Sequence, residues 1–406
     1  MPYKKIQADY TITCADSEPL ARAIVVVDDG GYIKEVAPAD TYSDVTNYKG
    51  VLCPGFINAH CHLELSALHR KIPKHIGLRK FVDYMRLRPK QNTDEITQAM
   101  LAAEVQMYAN GIVAVGDIAN TTDSFALKDD SDMYYHTFVE IMGFDPKIAA
   151  DRFRKGVMIF EEISQIGRSH GSLTPHAPYT ASLELLLLIK TYNEFNDTPI
   201  TSIHHQESQA ENELFMNGTG EWANLYAELG IDINTFFRPL SATSLAFVWA
   251  YLARDTKVLL VHNTFCNQED AEWLMTESPE THWCFCPNAN LYIENRLPNF
   301  NYFLPYSDNI CLGTDSLASN EQLCILEEMK TIQRHYPKIS LPTLVQWGCK
   351  NGAKFFDWIL LGTIEEDKQP GICLIENLDI TQLKLLPDSR SRLLVGTSNS
   401  NAILEP

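Results

Sequence analysis

His60 and His62 stand one residue apart at the end of the apolar run Pro54-Gly55-Phe56-Ile57-Asn58-Ala59-His60-Cys61-His62. Side chains at i and i+2 of a strand point to the same side, so both imidazoles face one way. Imidazole nitrogens on one side of a strand suit a divalent metal of borderline softness. Alone, an H-x-H pair could equally be two solvent-facing histidines at a polar strand end. Further along, His204 and Glu207 form H-x-x-E after an apolar run, His262 follows residues 257–261, and Asp315 follows 310–314. Three histidines and one aspartate can hold a catalytic zinc and leave a place for water. Such a metal lowers the pKa of that water to about 7. Glu207 stands close to a ligand without being needed as one, which suits a proton shuttle. His205 adjoins His204, and the H-x-x-E register with Glu207 selects His204.

Residues so far apart in the chain need a scaffold that converges them. Short apolar, β-branched runs recur at 51–62, 111–120, 133–143, 171–179, 199–208, 257–265, 281–291 and 310–316. Amphipathic stretches lie between them, among others at 93–110, 147–166, 182–195, 268–277 and 323–335. Strands alternating with helices imply parallel pairing, and eight repeats predict an α/β fold closed into a (β/α)8 TIM barrel. Most of these strands end in a polar residue of catalytic type: His60 and His62, Asp117 and Asn120, Glu140, His176, His204 and Glu207, His262, Asn288 and Asn290, then Asp315. The carboxyl ends of barrel strands share one face, where active sites are built.

The two ends of the chain read differently. Residues 21–37 form two strand-like runs about a D-G-G turn, which predicts a hairpin. Residues 371–378 and 393–404 also have strand character. We therefore expect a small β-sandwich domain built from both chain termini, 1–50 and 359–406, beside a catalytic barrel over 51–358. The segment 209–256 is longer than a simple crossover and reads as an insertion over the active-site face, a candidate lid.

Further residues could touch a substrate. His176 closes the fourth strand in H-A-P-Y, and Glu64 could meet a sugar hydroxyl or simply be solvated. Asn290 and Ser319 are candidates for substrate contact or for shaping their loops. Arg86 and Arg88 could pair with a substrate carboxylate through bidentate bonds.

Composition excludes several classes. With 33 basic against 52 acidic residues the net charge is −19, so a phosphate backbone would be repelled and nucleic acid is not an expected partner. The amino terminus lacks the apolar stretch of a signal peptide, and the longest aliphatic run, 185–189, is too short to span a bilayer. No membrane partner is expected. The 10 cysteines show no C-x-x-C, which points to reduced thiols in a cytoplasm. Cys284 and Cys286 form a lone C-x-C on an apolar stretch and read as core thiols.

Taken in order, PGFINAHCH, HAPY, H-x-x-E, VHN, CPNAN and GTDSLASN resemble the amidohydrolase superfamily, over most of the chain from the first hairpin to about residue 376. The nearest branch is the aminohydrolases that act on purines, S-adenosylhomocysteine-type nucleosides and triazines. FINAHCHLELS, HAPYTAS, IHHQESQAE and VHNTF are similar to strings of the aminodeoxyfutalosine deaminases of menaquinone biosynthesis. The resemblance implies a TIM barrel with a flanking β-sandwich and one metal, zinc first and iron second. It implies His60, His62, His204 and Asp315 as metal ligands, Glu207 and His262 as catalytic groups, and Asp315 as proton acceptor. Its substrate would be a small molecule, losing an exocyclic amino group. Barrels of this sort often pair, so a homodimer is compatible, though no stripe in the chain specifies one. Two departures stand out. The family's Gly-Lys-x-Ala-Asp string is here Asp367-Lys368-Gln369-Pro370-Gly371, and the fourth strand ends in His176 where two-metal relatives carry a bridging lysine. The second departure favours a single metal.

Overall fold

Eight short strands run through the middle of the chain, each followed by helical or looped segments that carry it back to the start of the next. A computed structural model describes residues 3–87, 92–164, 170–196, 200–252 and 256–397. The strands are β1 (Phe56–Cys61), β2 (Ile112–Ala119), β3 (Tyr134–Ile141), β4 (His170–Pro175), β5 (Ile200–His205), β6 (Lys257–His262), β7 (His282–Phe285) and β8 (Ile310–Leu312). Every position of β2 and of β3 is buried, as parallel strands covered on both faces must be. They form two four-stranded parallel sheets, ordered β4-β3-β2-β1 and β5-β6-β7-β8. Two seams join the sheets. At one, the His204 amide donates to the His176 carbonyl at 2.9 Å. At the other, Cys61 bridges Asp315 in parallel, and the amides of Thr314 and Asp315 donate to the His60 carbonyl at 3.0 and 3.1 Å. The fold is mixed α/β, and the strand ends that carry polar residues come together.

Two expected strands have different bounds, for local reasons. The run 51–62 splits at Gly55: Val51–Pro54 pairs instead with Ile372–Asp379 and with Tyr10–Thr11. A Cβ at Gly55 would meet Val113 Cγ1 at 2.5 Å and the Pro370 carbonyl at 2.8 Å, so only glycine lets the chain pass between the two sheets there. The run 281–291 stops as a strand at Phe285, because Pro287 starts the helix Pro287–Glu294. Proline at the first helical turn loses no helical hydrogen bond and presets φ. Asn288 and Asn290 therefore sit on the first turns of a helix instead of a strand end.

The terminal segments make two more sheets. One is ordered Ile33–Ala37, Ile24–Val27, Lys4–Gln7, Thr46–Asn47; the other Lys384–Val395, Ile372–Asp379, Val51–Pro54, Tyr10–Thr11, Leu20–Ala21. Ile24–Val27 and Ile33–Ala37 are antiparallel about a turn in which Gly31 takes φ +87° and donates to the Asp28 carbonyl at 3.0 Å. Ile6, Val25, Val27 and Ile33 from the first sheet pack with Leu52, Ile372, Leu374 and Val395 from the second in one apolar cluster. The expected strand 393–404 ends at Val395 within Lys384–Val395, and its residues from 398 on lie outside the described residues.

The insertion 209–256 holds the helices Gln209–Asn217, Glu221–Glu228 and Ser244–Trp249. Its Phe215, Trp222, Leu225, Tyr226 and Phe237 pack with Leu68, Leu78, Phe81, Phe144 and Tyr179. Trp222 stacks on Tyr179 with ring centroids 4.1 Å apart. Each such side chain contributes about 1.5–3 kcal/mol by burial, so the insertion is held firmly against the loops that follow the strands. All ten cysteines are free and buried, Cys284 and Cys286 among them. No helix among the described residues is long and apolar enough to cross a membrane.

Candidate active site

Three imidazoles meet at the mouth of the strands. His62 Nε2 lies 3.1 Å from His60 Nε2 and 3.3 Å from His204 Nε2. Asp315 Oδ1 lies 3.8 Å from His60 Nε2 and 3.5 Å from His62 Nε2. Burial first, and the neighbouring imidazoles second, hold His60 well below the ordinary histidine range and His62 and His204 at about 3. At neutral pH these rings are therefore uncharged. His204 donates its Nδ1–H to the His176 carbonyl at 2.7 Å, which turns the Nε2 lone pair inward. Ser319 donates to Asp315 Oδ2 at 2.6 Å, which leaves Oδ1 facing the histidines. Lone pairs crowded this closely repel unless a cation lies among them. Three neutral nitrogens and one carboxylate oxygen are a donor set for one divalent metal. His60, His62 and Asp315 place their donor atoms within 4.8 Å of one another, as do His60, His204 and His262.

A second pair adjoins this set. Glu207 Oε1 lies 3.6 Å from His262 Nε2, and Glu207 Oε2 accepts from the Tyr179 hydroxyl at 3.3 Å. Burial, then the charge of Asp315, pushes the Glu207 carboxyl well above the usual carboxylate range. His262 donates Nδ1–H to Asn290 Oδ1 at 2.8 Å, so its Nε2 is the acceptor. His262 and Asp315 take φ +74° and +56°, a left-handed backbone that costs energy for residues other than glycine. Such strain clusters where side-chain direction matters more than comfort.

The loops around the site are pinned from behind. Glu211, fully buried, accepts from the Gln206 amide at 2.9 Å and the Glu207 amide at 3.1 Å, and also from the Ser244 hydroxyl. Asp117 accepts from the Leu63 amide, next to His62, at 2.8 Å, and pairs with Lys128 at 2.7 Å where both side chains are fully buried.

In front of these groups lies a cavity of about 320 Å³, within the size range of small-molecule sites. Its base is His62, His176, His204, Glu207, His262 and Asp315. One wall is apolar, from Leu65, Leu78, Phe81, Val82, Met85, Met142 and Ile293, and Arg86 is the one lysine or arginine that lines it among the described residues. Among the described residues of 209–256 none lines this cavity; the helix Leu78–Leu87 does. The sequence placed a lid on the insertion, but the insertion packs behind Tyr179 and the wall comes from nearer the amino terminus.

The substrate candidates divide accordingly. His176 lines the cavity, its Nδ1 2.8 Å from the Thr180 hydroxyl, and Arg86 lines it while 3.4 Å from Asp83. Glu64, Asn290 and Ser319 do not. The Glu64 carboxylate accepts from the amides of Asn120 and Thr121 at 3.0 and 3.2 Å, while Asn290 and Ser319 brace His262 and Asp315. Arg88 lies outside the described residues. Sequence reasoning missed Tyr179, Glu211 and the apolar wall. Tyr179 follows His176 in H-A-P-Y and could have been taken from that string; the wall carries no local signal.

A sequence model of the amidohydrolase family matches residues 51–403, and the chain belongs to that family. It is similar to a 5-methylthioadenosine/S-adenosylhomocysteine deaminase of Pyrococcus furiosus, 26% identical over 336 residues, 79% of this chain and 72% of that protein. It is also similar to the aminodeoxyfutalosine deaminase of a Nitratiruptor species, 25% identical over 308 residues, 73% of this chain and 71% of that protein. Among solved structures, Helicobacter pylori aminofutalosine deaminase in complex with methylthio-coformycin superposes with a TM-score of 0.79 at 22% identity, over 97% of this chain and 99% of that one. At that identity the likeness is one of fold.

Proposed function

We propose that this protein is a metal-dependent hydrolytic deaminase that removes the exocyclic amino group of a purine nucleoside-type substrate, with aminodeoxyfutalosine the leading candidate. The observation that carries the reading is the convergence of His60, His62, His204 and Asp315 beside the Glu207–His262 pair at the base of one cavity. A divalent metal, zinc first and iron second, would be held by His60, His62, His204 and Asp315 and would supply Lewis-acid activation of water. Asp315, its carboxylate oriented by Ser319, takes up the proton that water releases as it attacks the amidine carbon. Glu207, kept neutral by burial, gives its proton to the adjacent ring nitrogen. His262 Nε2, aimed by Asn290, orients the water; Asp315 then passes its proton to the amino group, which leaves as ammonia, and the added hydroxyl gives its proton back to Glu207 as the ring carbon becomes a carbonyl.

The cavity wall supports a substrate with an apolar, anionic tail, as the benzoate of aminodeoxyfutalosine would be: Arg86 stands in the last turn of a helix whose Phe81, Val82 and Met85 face the same space. The two similar deaminases from Pyrococcus and Nitratiruptor support the reaction class. The reading includes closure of the two parallel sheets into a (β/α)8 barrel, for which the seam hydrogen bonds speak, and a β-sandwich domain from both termini, for which the shared apolar cluster speaks. A cytoplasmic setting accords with ten free, buried thiols. Ammonia release by metal-replete protein tests the proposal, using aminodeoxyfutalosine, S-adenosylhomocysteine, methylthioadenosine, adenosine, adenine, guanine and a chlorotriazine. Preference for another amine keeps the mechanism and discards the substrate; chloride release without ammonia, or no turnover with metal bound, discards the reaction.

A further inference from the structure

Glu328 lies outside the cavity, yet its carboxylate joins two segments, a helix and a loop, that brace the site. It sits on the helix Ile325–His335 and is fully buried. Its Oε2 accepts from the Asn288 amide at 2.8 Å, and its Oε1 accepts from Asn288 Nδ2 at 3.0 Å and from Asn320 Nδ2 at 2.8 Å. Asn288 is on the first turn of the helix Pro287–Glu294, and two residues later Asn290 receives the Nδ1–H of His262. Asn320 follows Ser319, whose hydroxyl bonds Asp315, and Asn320 Nδ2 also reaches the Thr314 carbonyl at 2.9 Å. One carboxylate thus receives three N–H bonds, two from the helix that follows β7 and one from the loop that follows β8, the first segment bracing His262 and the second bracing Asp315.

We propose that Glu328 is a positioning residue, which fixes the Asn290–His262 and Ser319–Asp315 pairs relative to each other. Three donors converge on two oxygens with no water-exposed surface. An amide there would turn its own N–H₂ toward at least one of those donors, and a buried donor–donor conflict is relieved only by moving a loop. Because both segments carry groups that face the reacting centre, a shift of either misaligns Asp315 against His262, while most of the substrate wall comes from the helix Leu78–Leu87, which belongs to neither segment. Neighbouring Glu327 is the control: its carboxylate pairs with Lys330 at 2.7 Å and accepts from neither Asn288 nor Asn320.

The inference rests on the proposed deaminase reading for its kinetic readout, so the test has a second readout that needs no turnover. E328Q, N290A, S319A and the doubles E328Q/N290A and E328Q/S319A are assayed on whichever amine the wild type deaminates, with metal content measured in each. We expect E328Q to lower kcat by roughly ten- to hundredfold with metal content unchanged, the usual scale for groups that orient a site's ligands. KM should hold to within about twofold, since substrate contacts remain. In the N290A and S319A backgrounds the same change should cost less than about threefold, because coupled residues are not additive. The Nδ1–H proton resonance of His262 should shift in E328Q and stay in place in E327Q. Unchanged kcat in E328Q, an equal loss in every background, or a loss that follows metal content overturns the inference. If E328Q does not fold, N320A, which removes one of the three donors, decides: lower kcat at constant KM supports it and unchanged kcat overturns it. A wild type that deaminates nothing sinks the deaminase reading alone, and the His262 resonance then decides for Glu328.

Discussion

Replacing Glu207 by glutamine separates proton transfer from structure more cleanly than any other change at this site. The amide is the size of the carboxyl, so the cavity keeps its shape. Its oxygen can take the Tyr179 hydroxyl, now 3.3 Å from Oε2, and its N–H₂ can face His262 Nε2, now 3.6 Å from Oε1. That nitrogen is an acceptor because His262 Nδ1 carries the proton given to Asn290. Both existing contacts therefore survive, and a buried carboxyl that resists ionisation is exchanged for a group that never ionises. Stability and metal content should stay at wild-type level. What is lost is the proton for the ring nitrogen, and general acid catalysis of this kind is worth about 10²- to 10⁴-fold. Continuous ammonia detection at saturating substrate should show kcat lower by that factor with KM changed only slightly, alongside metal analysis and a thermal melt. Full turnover by a metal-replete Glu207→Gln protein refutes the shuttle. A large fall in metal content or stability refutes the structural part, namely that both contacts are retained.

Three further outcomes follow from other parts of the molecule. Lys128→Met leaves the Asp117 carboxylate buried without its partner and should cost about 3–5 kcal/mol in urea unfolding, with Asp117→Asn/Lys128→Met recovering part of it; equal stability of wild type and Lys128→Met would contradict a fully buried pair. Chelation should abolish turnover and lower the melting temperature, and zinc at 100 times its Kd should restore about 2.7 kcal/mol; activity that persists in metal-free protein removes the metal from the reading. Arg86→Ala should raise KM roughly tenfold for a substrate with an anionic tail, the scale of one lost charged hydrogen bond, and leave adenosine unaffected; an equal effect on both would assign Arg86 to the fold of its helix.

Legibility tracked the range of the forces involved. The eight parallel strands and the helices between them, with Gln268–Glu277 matching to the residue, follow from apolar periodicity that acts over a few residues. Where a strand was drawn too long, a single residue explains it: Gly55 passes the chain to another sheet, and Pro287 opens a helix. His60, His62, His204, His262, Glu207 and Asp315 could be singled out as candidates because each sits at or just past the end of an apolar run, and parallel strands must share their carboxyl ends. That rule fixes neighbourhood without fixing contact.

Contact was decided by packing between segments far apart in the chain. Asn290 and Ser319 turn out to stand behind His262 and Asp315, and Glu64 is occupied by the amides of Asn120 and Thr121. The length and composition of 209–256 pointed to a lid, but its Trp222 found Tyr179, and the wall fell to the helix Leu78–Leu87. Glu211 and Glu328 are ordinary helix glutamates by sequence; only burial against loop amides gives them work near the site. The residue types of the candidate site, their strand-end placement and the α/β alternation were thus written locally in the chain. The partner of each polar group was not, because a buried hydrogen bond is chosen by whichever distant donor the packed core brings within 3 Å, and local sequence holds no record of that choice.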